Sequence, residues 1–299
     1  MTTYERYEVL VSGLGFPESL RWRDGALWYA DWAVGTVYRV GPDRTPRPMV
    51  QRASFPLCFD LVSTSDGLRP LFVSNPDRAV LLAGSGADEP TPYASLVGFG
   101  DHPWNEIVLA GDGSAYVNNI GFDFGGGTDP SQAGPVGFVV LVRPDGGVER
   151  VADGLEFPNG MAVVDDGRTL LVAESWGSRL TAYAISPGGQ LSDRRVWAET
   201  PGLHPDGIHA HGADELGDGS VSLADVGTRC CVRIAEGGEI LDRVDLPQSA
   251  FDCVVGDLTG SGPTLYVAVN DFGGDPSAGP AGKILAVAVT GVSPPPPGR

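Results

Sequence analysis

Lysine is almost missing from this chain: Lys283 is the only one among twenty basic residues, which face 38 acidic ones. A Schiff-base mechanism would have to rest on that single amine, placed where a turn runs into a strand. The formal net charge of -18 repels phosphate backbones and anionic lipid, which excludes nucleic acid and a membrane surface as expected partners. Cysteine is also sparse. Cys58, Cys230, Cys231 and Cys253 are scattered and form no CxxC pair, so neither a disulfide framework nor a thiolate metal site is expected. The adjacent Cys230 and Cys231 should point to opposite faces of a strand as buried thiols. No apolar run approaches the ~18 residues of a membrane span. The opening MTTYERYEVLVSG carries charge where a signal peptide needs an apolar core, and a cytoplasmic protein is the expectation. Helical periodicity and a G-x-S-x-G elbow are absent as well.

What is present is turn chemistry: 43 Gly and 25 Pro in 299 residues. That length suits two average domains, or one all-β barrel or propeller. The composition favours the second, as a single domain over residues 1–292 with a Pro-rich tail, SPPPPGR, over 293–299. A loose repeat of forty to fifty residues supports it. Each copy has a Pro-containing lead-in, a short apolar strand, an Asp/Gly turn and a second strand rich in Tyr, Trp, Val and Ala. Copies begin at GFPESLRW, FPLCFDLV, HPWNEIVL, FPNGMAVV, HPDGIHAH and AFDCVVGD. Six such units cannot bury both faces singly, and stacked radially they form an all-β, six-bladed β-propeller whose first strands line a central channel.

That arrangement bears on Asn159, an amide in the otherwise apolar FPNGMAVV. Position for position, the residues after the lead-in prolines are Glu18, Leu57, Trp104 with Asn105 next, Asn159 and Asp206. Two carboxylates and two amides thus converge at one end of the channel, which is the donor set of a hard divalent cation. An Asx turn at Asn159-Gly160, with each polar residue capping its own bend, is the other reading of the same pattern.

FPESLRW with LWYADW, WNEIVLAGDGSAYV, FPNGMAVVDDGRTLLVAES, PDGI and LYVAVND followed by GKI resemble the SMP-30/gluconolactonase family of regucalcin-like sugar lactonases. The resemblance covers nearly the whole chain. It implies one divalent cation on the axis, most simply Ca²⁺ with Zn²⁺, Mn²⁺, Mg²⁺ or Fe²⁺ as substitutes, held by Glu18, Asn159 and Asp206. It further implies hydrolysis of a small-molecule lactone, the ion polarising the ring carbonyl while Asp206 helps to activate water. Glu18 would then be a ligand only. By the same likeness Asn119, of the pair Asn118-Asn119, faces the channel.

One departure matters. Sugar lactonases of the family commonly place an Arg two residues before the Asn of the third repeat, and here Pro103 stands there. Trp104, Asn105 and the phenylalanines 16, 55, 99, 122 and 157 suggest a more apolar or planar substrate. The Gly- and Pro-rich stretch 118–137 is long enough to arch over the channel. His204, and His102 likewise, adjoins the donor positions and is suited to donate to substrate or shuttle a proton. Two further readings are a phosphotriester hydrolase of the diisopropylfluorophosphatase type and a non-catalytic calcium-binding propeller.

Overall fold

The structure, a computed structural model, describes residues 7–86, 88–124, 129–212, 216–271 and 279–289. It contains 24 strands in six four-stranded antiparallel sheets. β1 spans Tyr7–Leu14, and the blades follow as β2–β5 (17–51), β6–β9 (59–95), β10–β13 (104–155), β14–β17 (158–199), β18–β21 (205–245) and β22–β24 (249–288). The sixth blade takes β1 as its outermost strand. An early strand therefore completes the last blade, which ties the two ends of the ring together. Repeat counting placed six blades correctly, and it did not reveal this closure. The one helix among the described residues is a single turn, Pro130–Ala133, capped by Asp129. Residues 125–128 of the loop and the 293–299 tail lie outside the described residues.

The innermost strands are β2 (Pro17–Arg23), β6 (Phe59–Thr64), β10 (Trp104–Leu109), β14 (Pro158–Val164), β18 (Pro205–Ala210) and β22 (Ser249–Gly256). Each touches its two neighbours around the ring. Apolar side chains fill the spaces between blades in six layers, as the alternation of a pleated strand requires when both faces are covered. Cys230 packs between blades 4 and 5, and Cys231 between blades 5 and 6. All four cysteines are free and buried.

Two glycines show how closely inner strands approach. A Cβ on Gly160 would sit 2.5 Å from the Asp206 carbonyl oxygen and 2.6 Å from the Ile208 nitrogen. One on Gly207 would lie 2.6 Å from the Asp252 Cα. Gly160 is thus required by the close approach of blades 4 and 5, and Asn159-Gly160 is no hairpin turn. Because backbone cannot yield as a side-chain tip can, Gly207→Ala should lower stability by about 1–3 kcal/mol. A thermal melt checks this, and an unchanged Tm would mean that blades 5 and 6 part without cost.

Candidate metal centre

The last residue of the second strand in each blade is Asp31, Ser74, Asn119, Glu174, Asp225 or Asn270. Asp31 accepts from the Gly15 and Phe16 nitrogens, each at 2.8 Å, Glu174 from the Glu156 nitrogen at 2.7 Å and Asp225 from the His204 nitrogen at 2.5 Å. These acids clamp the lead-ins that carry Phe16-Pro17-Glu18, Phe157-Pro158-Asn159 and His204-Pro205-Asp206. The polar ring is thereby set on fixed backbone.

Pro17, Trp104, Pro158 and Pro205 pair with those last residues; the register breaks directly afterwards in blades 3, 4 and 5, and one residue later, after Glu18, in blade 1. Asn105, Asn159 and Asp206 sit in these bulges and Glu18 directly before its own, and a bulge re-aims side chains out of the ladder. The backbone is unusual on both sides: Ser19 has φ 52° and Phe157 φ 59°, a region that non-glycine residues rarely occupy. Asn105, and not Trp104, is therefore in register with the three expected donors. The Trp104 indole is 1% exposed and lies edge-on to Phe138, 5.5 Å between centroids, in the layer between blades 2 and 3. In blades 1, 4 and 5 the proline itself holds the paired position and in blade 3 the residue after it does, an offset that simple alignment of the prolines overlooked.

The four side chains meet. Asn105 Nδ2 donates to Asn159 Oδ1 at 3.1 Å, which leaves that oxygen a second lone pair. Asn159 Nδ2 donates to Ser175 Oγ at 3.3 Å and also bonds the Asp206 carboxylate. Glu18 and Asp206 are both buried. Burial first, then Asp206, Asp252 and Glu106, push the Glu18 carboxyl well above the usual range. Asp206 is raised in the same way, by burial and then by Asp252, Glu106 and Asp225. Among the described residues no Arg or Lys pairs with either carboxylate. Two buried carboxylates of raised pKa, with amide oxygens beside them, fit a divalent cation. No three His, Cys, Asp or Glu side chains among the described residues form a ligand shell. The axial set has two acids completed by amides.

Of the other expected residues, Asn119 is placed as a clamp. It donates to the His102 carbonyl at 2.7 Å and accepts from the Gly121 nitrogen at 2.9 Å, the counterpart in blade 3 of Asp31 and Asp225. Asn118 is the one that reaches the site: it donates to the Asn159 carbonyl at 2.6 Å and accepts from the Glu106 nitrogen at 3.1 Å. Strand alternation separates the two. His204 Nδ1 lies 3.0 Å from the Ser175 carbonyl, so it carries the proton, and the ring packs 4.6 Å from Trp176. Aromatic rings flank the donors. Phe16 stacks 5.5 Å from Trp32 near Glu18, and Phe122, Phe124 and Phe157 cluster within 5.3–6.4 Å beside Asn159. Phe55, Phe124 and Trp176 are exposed, whereas Phe99 packs against the core between blades 2 and 3.

Sequence reading missed a deeper set: Arg21, Asp60, Glu106 and Asp252. The repeated FDLV and FDCVV of blades 2 and 6 were the available signal, since an acid in the same place on two inner strands is costly unless it has a partner.

The family pattern described as "SMP-30/Gluconolactonase/LRE-like region" matches residues 16–269. The chain belongs to that family. A gluconolactonase from Xanthomonas campestris superposes with TM-score 0.71 at 21% identity, covering 94% of this chain and 89% of that one. A calcium-binding protein, regucalcin, from Agrobacterium tumefaciens gives 0.74 at 16%, covering 94% and 92%. At these identities the likeness is one of fold. Diisopropyl-fluorophosphatase from Loligo vulgaris is 33% identical over 96 residues, 31% of this chain and 30% of the relative's length. No helix among the described residues is long and apolar enough to cross a membrane.

Proposed function

We propose that this protein is a divalent-metal-dependent hydrolase of a small ester, with a lactone as the substrate. The observation that carries this reading is the pair of buried acids, Asp206 in a strand bulge and Glu18 directly before one, near Asn159 and Asn105 and, among the described residues, with no cationic side chain paired to them. Glu18, Asn159 and Asp206 would hold the ion, with Asn105 next to them. An all-oxygen set suits Ca²⁺ first and admits Mn²⁺, Mg²⁺, Zn²⁺ or Fe²⁺. A bound ion supplies Lewis acidity toward the substrate carbonyl.

The chain's own residues do the rest. A carboxylate oxygen of Asp206 takes the proton from the attacking water. Asn105 Nδ2, already directed at Asn159 Oδ1, holds the neighbouring donor in place and is positioned to donate to substrate. His204 has Nδ1 tied to the Ser175 carbonyl and its opposite edge against Gly227. The aromatic rings beside the donors give the substrate an apolar bed and exclude water.

A phosphotriester is the second reading. It is favoured by the local similarity to diisopropyl-fluorophosphatase and by the register that brings Asn105 to the level of Asn159. Proton release separates the possibilities. Metal-stripped protein is reconstituted with Ca²⁺, Mn²⁺, Zn²⁺ or Mg²⁺ and given sugar lactones, aliphatic and aryl lactones and a phosphotriester in a weakly buffered indicator. Acidification with lactones, lost on chelation, is expected. Acid from the phosphotriester alone favours the second reading, and ion uptake without acid from any compound would make this a binding protein.

Within that panel D-glucono-1,5-lactone should not be the best substrate. Pro103 cannot donate, and each ring hydroxyl left unpaired costs about 1–3 kcal/mol. A kcat/KM for it well above that of less hydroxylated lactones would defeat this expectation.

A further inference from the structure

Arg21 lies on β2, opposite Trp28 and three residues in from Asp31, so it starts deeper in the channel than Glu18, which pairs with Ala30. Asp60 is at a similar depth, opposite Leu71, and Asp252 is opposite Ala268. The guanidinium crosses the channel. Its Nη2 donates to Glu106 Oε1 at 2.8 Å and to the Ile107 carbonyl at 3.0 Å, and Nη1 donates to the Leu20 carbonyl at 2.9 Å. Asp60 Oδ1 and Asp252 Oδ2 are 3.8 and 3.7 Å away. One side chain, 17% exposed, thus ties together the inner strands of blades 1, 2, 3 and 6.

The acids it meets are already fixed by backbone. Asp60 accepts from the Leu61 and Leu109 nitrogens, Glu106 from the Ile107 nitrogen, and Asp252 from the Leu20 and Cys253 nitrogens. They cannot swing away to avoid one another. Burial disfavours a charged guanidinium, but Glu106, Asp60 and Asp252 outweigh it and raise the Arg21 pKa. A planar fork of five donors suits this many-sided position as an ammonium would not.

The channel therefore holds two levels of buried acid: Glu18 and Asp206 near the mouth, and Asp60, Glu106 and Asp252 around Arg21. Among the described residues Arg21 is the only Arg or Lys paired with any of the five. Spread around Arg21 as they are, the three acids form no ligand shell of their own; with the guanidinium gone, their uncompensated buried charge would draw a divalent ion into the space it leaves. We propose that Arg21 is a positioning residue, a built-in cation that fills the deeper level and confines a single divalent ion to Glu18, Asn159 and Asp206, where substrate can reach it. This rests on the reading of that trio as a metal site.

The test uses the metal-stripped full chain, titrated with Ca²⁺ by calorimetry and melted with and without Ca²⁺, for the wild type, Arg21→Met and Arg21→Lys. The wild type and Arg21→Lys should take up one ion per chain. Arg21→Met should take up two, and its Tm should gain more from Ca²⁺ than the wild type's does. Uptake of one ion by folded Arg21→Met, at wild-type affinity, overturns the proposal. Where Arg21→Met is too unstable to titrate, the gain in Tm between metal-free buffer and millimolar Ca²⁺ decides: a gain larger than the wild type's supports an ion standing in for the guanidinium, and a gain no larger than the wild type's overturns it. A wild type that takes up no ion defeats the metal reading itself, a result distinct from a failure at Arg21.

Discussion

Asp206→Asn is expected to lower kcat by about a hundredfold or more while the propeller stays folded. The scale is that of a positioned base removed at nearly constant shape, to which weakened metal binding adds. Asp206 sits on the β18 bulge with its backbone held by the Asp225 clamp on His204, so exchanging an oxygen for an amide leaves the lead-in intact. The stability signature is specific. Without metal, the variant loses one of two acids that sit buried near Asp252 and Glu106, and relief of that repulsion should leave its Tm at or above the wild-type value. In saturating Ca²⁺ the order should reverse, because only the wild type gains the full binding energy. Full activity in metal-saturated Asp206→Asn would show that Asp206 neither takes the proton nor matters as a ligand.

Removing the ion from the wild type should have the second largest effect. A ligand at a hundred times its Kd stabilises the folded state by about 2.7 kcal/mol. For a 299-residue domain that corresponds to a Tm shift of about 4 °C. Chelation should therefore lower the Tm by this amount and abolish acid release, and Ca²⁺ should restore both. Loss of activity with no change in Tm would mean an ion bound too weakly, or too near the surface, to be the axial one. A Tm and an activity both indifferent to chelation would remove the metal from the account.

Much of this molecule was legible along the chain. Turn-forming Gly and Pro, alternating strands and the repeated Pro-led segments fix six blades, because each short strand can bury its two faces only against neighbouring copies. The repeat register then brings Glu18, Asn159 and Asp206 to one end of the channel without any coordinate. These are local and periodic features, and period survives projection onto one dimension. What the sequence did not disclose depends on strand register and on cross-strand partners. In blade 3 Trp104, one residue after the proline, takes the paired position that the proline holds in blades 1, 4 and 5, which brings Asn105 into line with the donors and leaves Trp104 in the layer against Phe138. The pleat gives Asn118 the site and leaves Asn119 to clamp a turn. The N-terminal strand closes the sixth blade across the whole length of the chain. Arg21, Asp60, Glu106 and Asp252 come from four separate blades, and only closure of the ring decided that one guanidinium would face three carboxylates, since charge pairing across a channel is a property of distance in space.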